Sequence, residues 1–169
     1  DIVEAAFKGI LKEAGVKYED KDNHVELECQ GTNIKGSYDL VINDAVDDVK
    51  SASEWSYRNK FESYETLSAS DPFGYVGQLA GYAKASGKKA GGWWVVNKAN
   101  GKIKYIPATG LDIDEEVTKL NDTVTTVENN EFERCFSPTP ETFRGKATGN
   151  TVLNLSLIHI SEPTRLLSI

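Results

Sequence analysis

Asp39, Asp48 and Lys50 are the residues whose types and spacing could do chemistry. Two apolar runs, residues 34–42 and 45–51, flank Asn43-Asp44, a pair that favours the tight turn of a β-hairpin. Across that turn Ile42 faces Ala45, Val41 faces Val46, and Asp39 faces Asp48; a four-residue turn gives the same register. Directly opposed cross-strand residues hold their Cβ atoms roughly 4.5–5.5 Å apart, where like charges repel. Two carboxylates so placed invite a cation between them. Carboxylate oxygens suit Mg²⁺ or Mn²⁺, which keep several waters and accept phosphate oxygens.

Side chains alternate along a strand, so Asp48 and Lys50 share a face while Val49 points into the core. An acid-x-Lys tripeptide on a strand therefore delivers a metal ligand and an ammonium group side by side. The chemistry this predicts is metal-assisted hydrolysis of a phosphate ester. The ion lowers the pKa of the attacking water and neutralises charge on phosphate oxygens, while the lysine orients or deprotonates that water. The carbonyl of Val49 could complete the coordination. Acid-x-Lys by itself is uninformative, since Glu19-Asp20-Lys21 satisfies it in a polar stretch. The hairpin with its second acid sets Asp48-Val49-Lys50 apart. Spacing alone also allows a solvated hairpin face, with each aspartate paired to a nearby lysine.

The elements that must position these residues are legible as patterns. Val3, Phe7, Ile10, Leu11 and Ala14 recur at helical spacing over residues 2–14, with Gly15 as a stop. Residues 25–29 alternate as a strand, Gly31-Thr32-Asn33 supplies a turn, and residues 34–42 and 45–51 follow as two more strands. Ser53 caps an expected helix over residues 55–64, anchored by Trp55 and Phe61. Asp71-Pro72 opens a further helix that Gly87 ends. Gly91-Gly92 leads into a strand over 93–96, residues 99–102 turn into another over 103–106, and Asp112 caps a last helix to Val127. Residues 135–150, rich in Pro, Thr and Gly, read as a loop. This order predicts one α/β domain on a mixed sheet.

The whole chain sets bounds. Its 169 residues suit a single domain, and 39% hydrophobic with 27% charged residues suit a soluble globular one. No apolar run reaches the length of a bilayer span, and no signal peptide is recognisable. Cys29 and Cys135 lie far apart without a ligand pattern, which predicts a reducing, cytoplasmic setting and no zinc-finger site. A net charge of −7 argues against a protein that coats nucleic acid non-specifically. Carboxylates that hold metal ions would add to that charge, and Lys84, Lys88 and Lys89 still cluster locally. The chain opens on Asp1 inside a helical pattern, so a preceding segment is expected. Its end, from Leu155 to Arg165, resembles an in-frame translation of a sequencing-library adaptor. Residues 155–169 are therefore expected to be non-native, and His159 is left out of any site.

Three segments together resemble the motif series of the PD-(D/E)xK nucleases: Gly36-Ser37-Tyr38-Asp39, Asp48-Val49-Lys50-Ser51-Ala52-Ser53 and Gln78-Leu79-Ala80-Gly81-Tyr82. The similarity is to the RecB-like and phage exonuclease branch, whose members carry Q-x-x-x-Y on a helix after the central hairpin. The resemblance implies a restriction-endonuclease-like core in αβββαβ order over residues 1–154, its central mixed sheet flanked by helices. It also implies a Mg²⁺-dependent DNA nuclease, an exonuclease of recombination, repair or phage DNA processing, with a recombination or replication protein as partner. On the matching positions Asp39 and Asp48 would bind metal and Lys50 would be the catalytic lysine. Gln78 and Tyr82, four apart on one helix face, would line the site and touch DNA, and Ser51 would join them at the substrate.

The first helix of that family usually presents a His or Glu to the metal. Counting back from Gly15 at the family's spacing gives Glu4, which also has Lys8 at i+4 as an ordinary surface partner. Some members hold an iron–sulfur cluster through C-terminal cysteines, but Cys135 alone builds none. Two further readings stay open. One is a restriction-type endonuclease, against which the Q-x-x-x-Y helix argues. The other is a nuclease-like domain that binds nucleic acid or a partner protein without cutting, against which the intact motif residues argue.

Overall fold

The structure, a computed structural model, describes residues 2–131, 138–143 and 146–153. The adaptor-like tail and Cys135 lie outside the described residues. An i, i+4 apolar pair, Phe7 and Leu11, gives helix α1 (Ile2–Glu13) a buried stripe, while Ile10 is half-exposed. Gly15, at φ +71°, ends the helix, and the Val16 N–H donates back to the Leu11 carbonyl at 2.9 Å.

Strands β1 (His24–Cys29) and β2 (Thr32–Ser37) form a hairpin closed by Gln30-Gly31, both at positive φ, rather than by residues 31–33. The single strand expected over residues 34–42 is in fact two. The Tyr38 N–H donates to the Asn23 carbonyl at 3.2 Å, and Asn23 Nδ2 donates to the Tyr38 carbonyl at 2.6 Å. That corner leaves β2 with β1 in a two-stranded sheet and sends β3 (Leu40–Ile42) into the main one. Asn43 and Asp44 then turn the chain at φ 51° and 62°, the signature of a type I′ turn, into β4 (Ala45–Ala52).

The main sheet has the order β3-β4-β5-β6. Strand β5 (Lys89–Asn97) runs parallel to β4, and β6 (Ile103–Pro107) runs antiparallel to β5, so the sheet is mixed. The crossover from β4 to β5 carries a π-helical turn (Ser56–Lys60) and helices α2 (Tyr64–Ala69) and α3 (Tyr75–Ser86). One continuous helix over 55–64 does not form. Ser53 Oγ does accept the Ser56 N–H at 3.2 Å, but Ser63 Oγ accepts the Thr66 N–H and starts a separate helix. Phe61 is buried as expected, whereas Trp55 is 69% exposed and anchors nothing. Helix α3 also starts later than Asp71-Pro72, because Gly74 at φ +68° leaves the helical region. Asp71 still caps it from outside, its carboxylate accepting the Val76 N–H at 2.7 Å.

Helix α4 (Ile113–Glu128) begins as expected, with the Asp112 carboxylate accepting the Glu115 N–H at 3.0 Å. Where a loop was expected, β7 (Pro138–Phe143) and β8 (Lys146–Leu153) pair antiparallel. Pro138 opens its strand and Pro140 borders the register irregularity, two places where a missing N–H is tolerated.

Helices flank the main sheet on both faces. On one, Phe7 and Leu11 of α1 pack with Leu40, Val49 and Trp94. On the other, Leu79 and Tyr82 of α3 pack with Val46, Trp93 and Val95. Val124 of α4 closes the β1–β2 hairpin over Cys29 and Ile34. Full burial of one such large apolar side chain stabilises the fold by about 1.5–3 kcal/mol. The architecture is thus α/β, a mixed four-stranded sheet between helices. It carries one strand more before the crossover than αβββαβ, a consequence of the Tyr38 corner. Among the described residues no helix is long and apolar enough to cross a membrane.

Candidate active site

The hairpin register follows the expectation as far as the ladder extends: Ile42↔Ala45, Val41↔Val46, Leu40↔Asp47. Asp39 stands one residue past the last pair, where Asp48 would face it. There its Oδ2 accepts the Val49 N–H at 2.6 Å. Burial pushes the Asp39 carboxyl up, and the charges of Asp48 and Glu4 add to the shift. The Val49 hydrogen bond and Lys50 oppose it, and the carboxyl rests at about 7.

Asp48 and Lys50 share the α3 face of β4, as strand alternation requires. Asp48 is 4% exposed. Its Oδ2 has no aligned hydrogen-bond partner among the described residues, and lies 2.7 Å from the Lys50 ammonium as an ion pair. Burial works against the lysine's charge, but Asp48 and Asp39 outweigh it and hold the pKa above the ordinary lysine value. Lys50 Nζ also donates to Gln78 Oε1 at 3.0 Å, and Gln78 Nε2 donates to Tyr82 Oη at 3.0 Å. The four side chains form one polar row, Asp48–Lys50–Gln78–Tyr82, from strand to helix. Burial raises the Tyr82 hydroxyl's pKa, and the Asp48 charge adds to the shift. The glycine of the first motif has a steric reason: a Cβ on Gly36 would lie 2.7 Å from Cε1 of Tyr82.

The other expected positions divide. Glu4 borders the site, since its charge reaches Asp39. Its Oε1 takes the Lys8 ammonium at 2.7 Å, the surface pairing noted from sequence. Partial burial would raise the Glu4 pKa, but Lys8 overrides it and the net shift is downward. Ser51 falls on the opposite face of β4 from Lys50 and is exposed, so the expectation that it meets substrate there is not met. Val49 reaches the site through its N–H, while its side chain packs towards α1. The look-alike Glu19-Asp20-Lys21 goes elsewhere, with Asp20 beside Lys8 at 3.4 Å. The local lysine cluster is largely neutralised: Lys84 pairs with Asp114 at 2.7 Å and Lys88 with Asp44 at 3.2 Å.

Sequence reasoning missed Asp47, 3% exposed on the α1 face. Its carboxylate accepts Trp94 Nε1 and Tyr105 Oη, each at 3.0 Å. Burial raises its pKa while these bonds and the Gly92 N–H lower it, and the net shift is upward. A signal existed: Trp94 and Tyr105 are directly paired across β5 and β6, two polar-tipped rings whose donors need a buried acceptor.

Whether these residues fit a divalent ion follows from the donors. Among the described residues no group of three or more His, Cys, Asp or Glu side chains is arranged to hold a metal. Two carboxylates, Asp39 and Asp48, are close enough for the second charge to shift the first. Mg²⁺ is commonly held by one or two carboxylates, with waters and substrate phosphate filling the other positions. Asp48 Oδ2 is already held by the Lys50 ammonium, whereas Asp39, kept near neutrality by burial and the Asp48 charge, is what a cation would relieve, so the donors fit.

No family model matches the chain, and no curated protein matches it. A solved structure named "Crystal structure of SSO0001" is similar at 18% identity and a TM-score of 0.47, over 74% of this chain. The chain spans 58% of that protein's length.

Proposed function

We propose that the chain is a Mg²⁺-dependent DNA nuclease with a restriction-endonuclease-like core of the PD-(D/E)xK kind. Mn²⁺ is an alternative ion, and exonucleolytic action in recombination, repair or phage DNA processing is the proposed setting. The observation that carries this reading is the meeting of Asp39, Asp48 and Lys50 with Gln78 and Tyr82, residues from three separate sequence segments. Asp39 and Asp48 would hold the ion, with Glu4 at the border. Bound there, it would supply Lewis-acid neutralisation of charge on the scissile phosphate. Lys50 stays an ammonium between Asp48 and Gln78, so it orients the attacking water and donates to phosphate oxygens rather than taking a proton. Gln78 fixes the lysine's direction and Tyr82 fixes Gln78.

The test is cleavage of linear DNA by the purified chain, with Mg²⁺ against a chelator. Lys50→Ala and Asp48→Asn should each lose about 10²–10⁴-fold in rate. Cleavage without metal, or Lys50→Ala cutting as fast as wild type, would overturn the proposal. A second reading is a domain that binds nucleic acid without cutting. It is favoured by the absence, among the described residues, of a third acid arranged on the ion. Calorimetric titration separates the two, since a non-cutting domain should take up neither Mg²⁺ nor Mn²⁺.

A further inference from the structure

The Lys50 ammonium lies 4.7 Å from the ring centroid of Tyr75, the first residue of α3. From that ring an aromatic row leads outward. Tyr75 stacks on Phe73, centroids 5.5 Å apart and planes 21° apart, and on buried Phe61 at 5.8 Å. Lys60, which ends the π-helical turn, holds its ammonium 4.0 Å from the Phe73 centroid and 5.2 Å from that of Tyr75. Beyond Phe73 opens a groove of about 370 Å³, lined among others by Trp55, Asn59, Lys60, Thr66, Pro72 and Phe73. Trp55 is 69% and Phe73 46% exposed.

Core packing accounts for Phe61 and leaves Trp55 and Phe73 unexplained. An exposed indole beside a π-helical turn, a geometry frequent at functional sites, needs another reason. Two accessible rings with an ammonium beside them are the parts of a single-strand binding surface: bases stack on the rings and the cation meets the backbone. Paired bases hide their faces within a duplex, so only an unpaired strand can use such rings. We propose that this groove carries single-stranded DNA to Lys50, with bases stacked on Trp55 and Phe73 and a phosphate beside Lys60. Binding in the groove needs no catalysis; only the assignment of its inner end rests on the nuclease reading.

The test is fluorescence anisotropy of labelled oligo(dT) with the whole chain in chelator, where nothing is cut. Trp55→Ala and Phe73→Ala should each weaken binding about tenfold, and Lys60→Gln should flatten its salt dependence. Oligo(dT) should also quench the wild-type tryptophan emission, and the quench should vanish in Trp55→Ala. Unchanged affinity in folded Trp55→Ala, or no binding of oligo(dT) by wild type, would overturn the proposal. Trp55 is exposed enough that its truncation leaves the melting temperature in place, so it decides the matter if Phe73→Ala does not fold. The two proposals separate cleanly. Binding that depends on Trp55 without any cleavage sinks only the nuclease, whereas cleavage and binding indifferent to Trp55 and Phe73 sink only the groove.

Discussion

The proposed cation site turns on Asp39. Its folded-state pKa of about 7 lies above the ordinary 3.8, so between those values the folded chain binds a proton that the unfolded chain has released. The stability this group contributes is therefore present at low pH and lost as pH rises through about 7. A divalent ion at the proposed site would need the carboxylate and would reverse that loss. Thermal melting should thus show Mg²⁺ raising the melting temperature more near pH 8 than near pH 6. Asp39→Asn should stabilise the metal-free protein at the higher pH and remove the difference in the Mg²⁺ effect. An equal Mg²⁺ effect at both pH values would count against a cation on Asp39. This residue was legible because Asn43-Asp44 announces a two-residue turn, and the turn counts out the partners. Asp47 was not, since alternation assigns it a face without saying that both faces of β4 are covered. Ser51 was misplaced for a related reason: a motif read along the chain ignores that its third and fourth letters point opposite ways.

At the scale of elements, two glycines separate side-chain crowding from backbone crowding. A Cβ on Gly36 would lie 2.7 Å from the rim of the Tyr82 ring. A Cβ on Gly92 would lie 2.1 Å from the Ile106 carbonyl oxygen of the neighbouring strand. A ring can tilt, while a carbonyl held in a ladder cannot move without breaking the sheet. Gly36→Ala should therefore cost about 1–3 kcal/mol, the usual range for overpacking. Gly92→Ala should cost more than about 3 kcal/mol, measured by urea unfolding. In a Tyr82→Leu background the Gly36→Ala cost should shrink, as expected for two groups in contact. Equal costs for the two glycines would refute this steric account. The sequence showed Gly91-Gly92 as a lead-in to a strand, but both lie inside β5, beside the register shift at Val46/Asp47. Helix starts were similarly ambiguous. Ser53, Ser63 and Asp71 are all competent caps, and only packing decides that Ser53 opens a π-helical turn and Gly74 delays α3.

At the scale of the whole molecule, the layered α/β architecture was legible because its helices and strands carry distinct periods, and the mixed sheet follows from a hairpin leading into a helical crossover. The electrostatics give the last prediction. The chain carries −7, and Lys84, Lys88 and Lys119 are each paired with acids, at 2.7, 3.2 and 2.6 Å. On the proposed reading, a basic surface that displaces many counterions would therefore not be what grips DNA. Proteins that bind by neutralising 6–10 phosphates lose about 10³–10⁵ in affinity between 50 and 200 mM salt. A ring contact releases no counterions, so the salt dependence of a stacked strand comes from the phosphates its cations meet. With Lys60 and Lys50 as the cations on the proposed path, about two phosphates would be neutralised, for a slope of log affinity against log salt of about −1.4 for a single strand. Anisotropy titrations of oligo(dT) across that salt range measure the slope directly. A slope of about −5 or steeper would mean that a basic surface elsewhere does the binding. A shallow slope that flattens further in Lys60→Gln would tie the residual salt dependence to the ammonium beside Phe73.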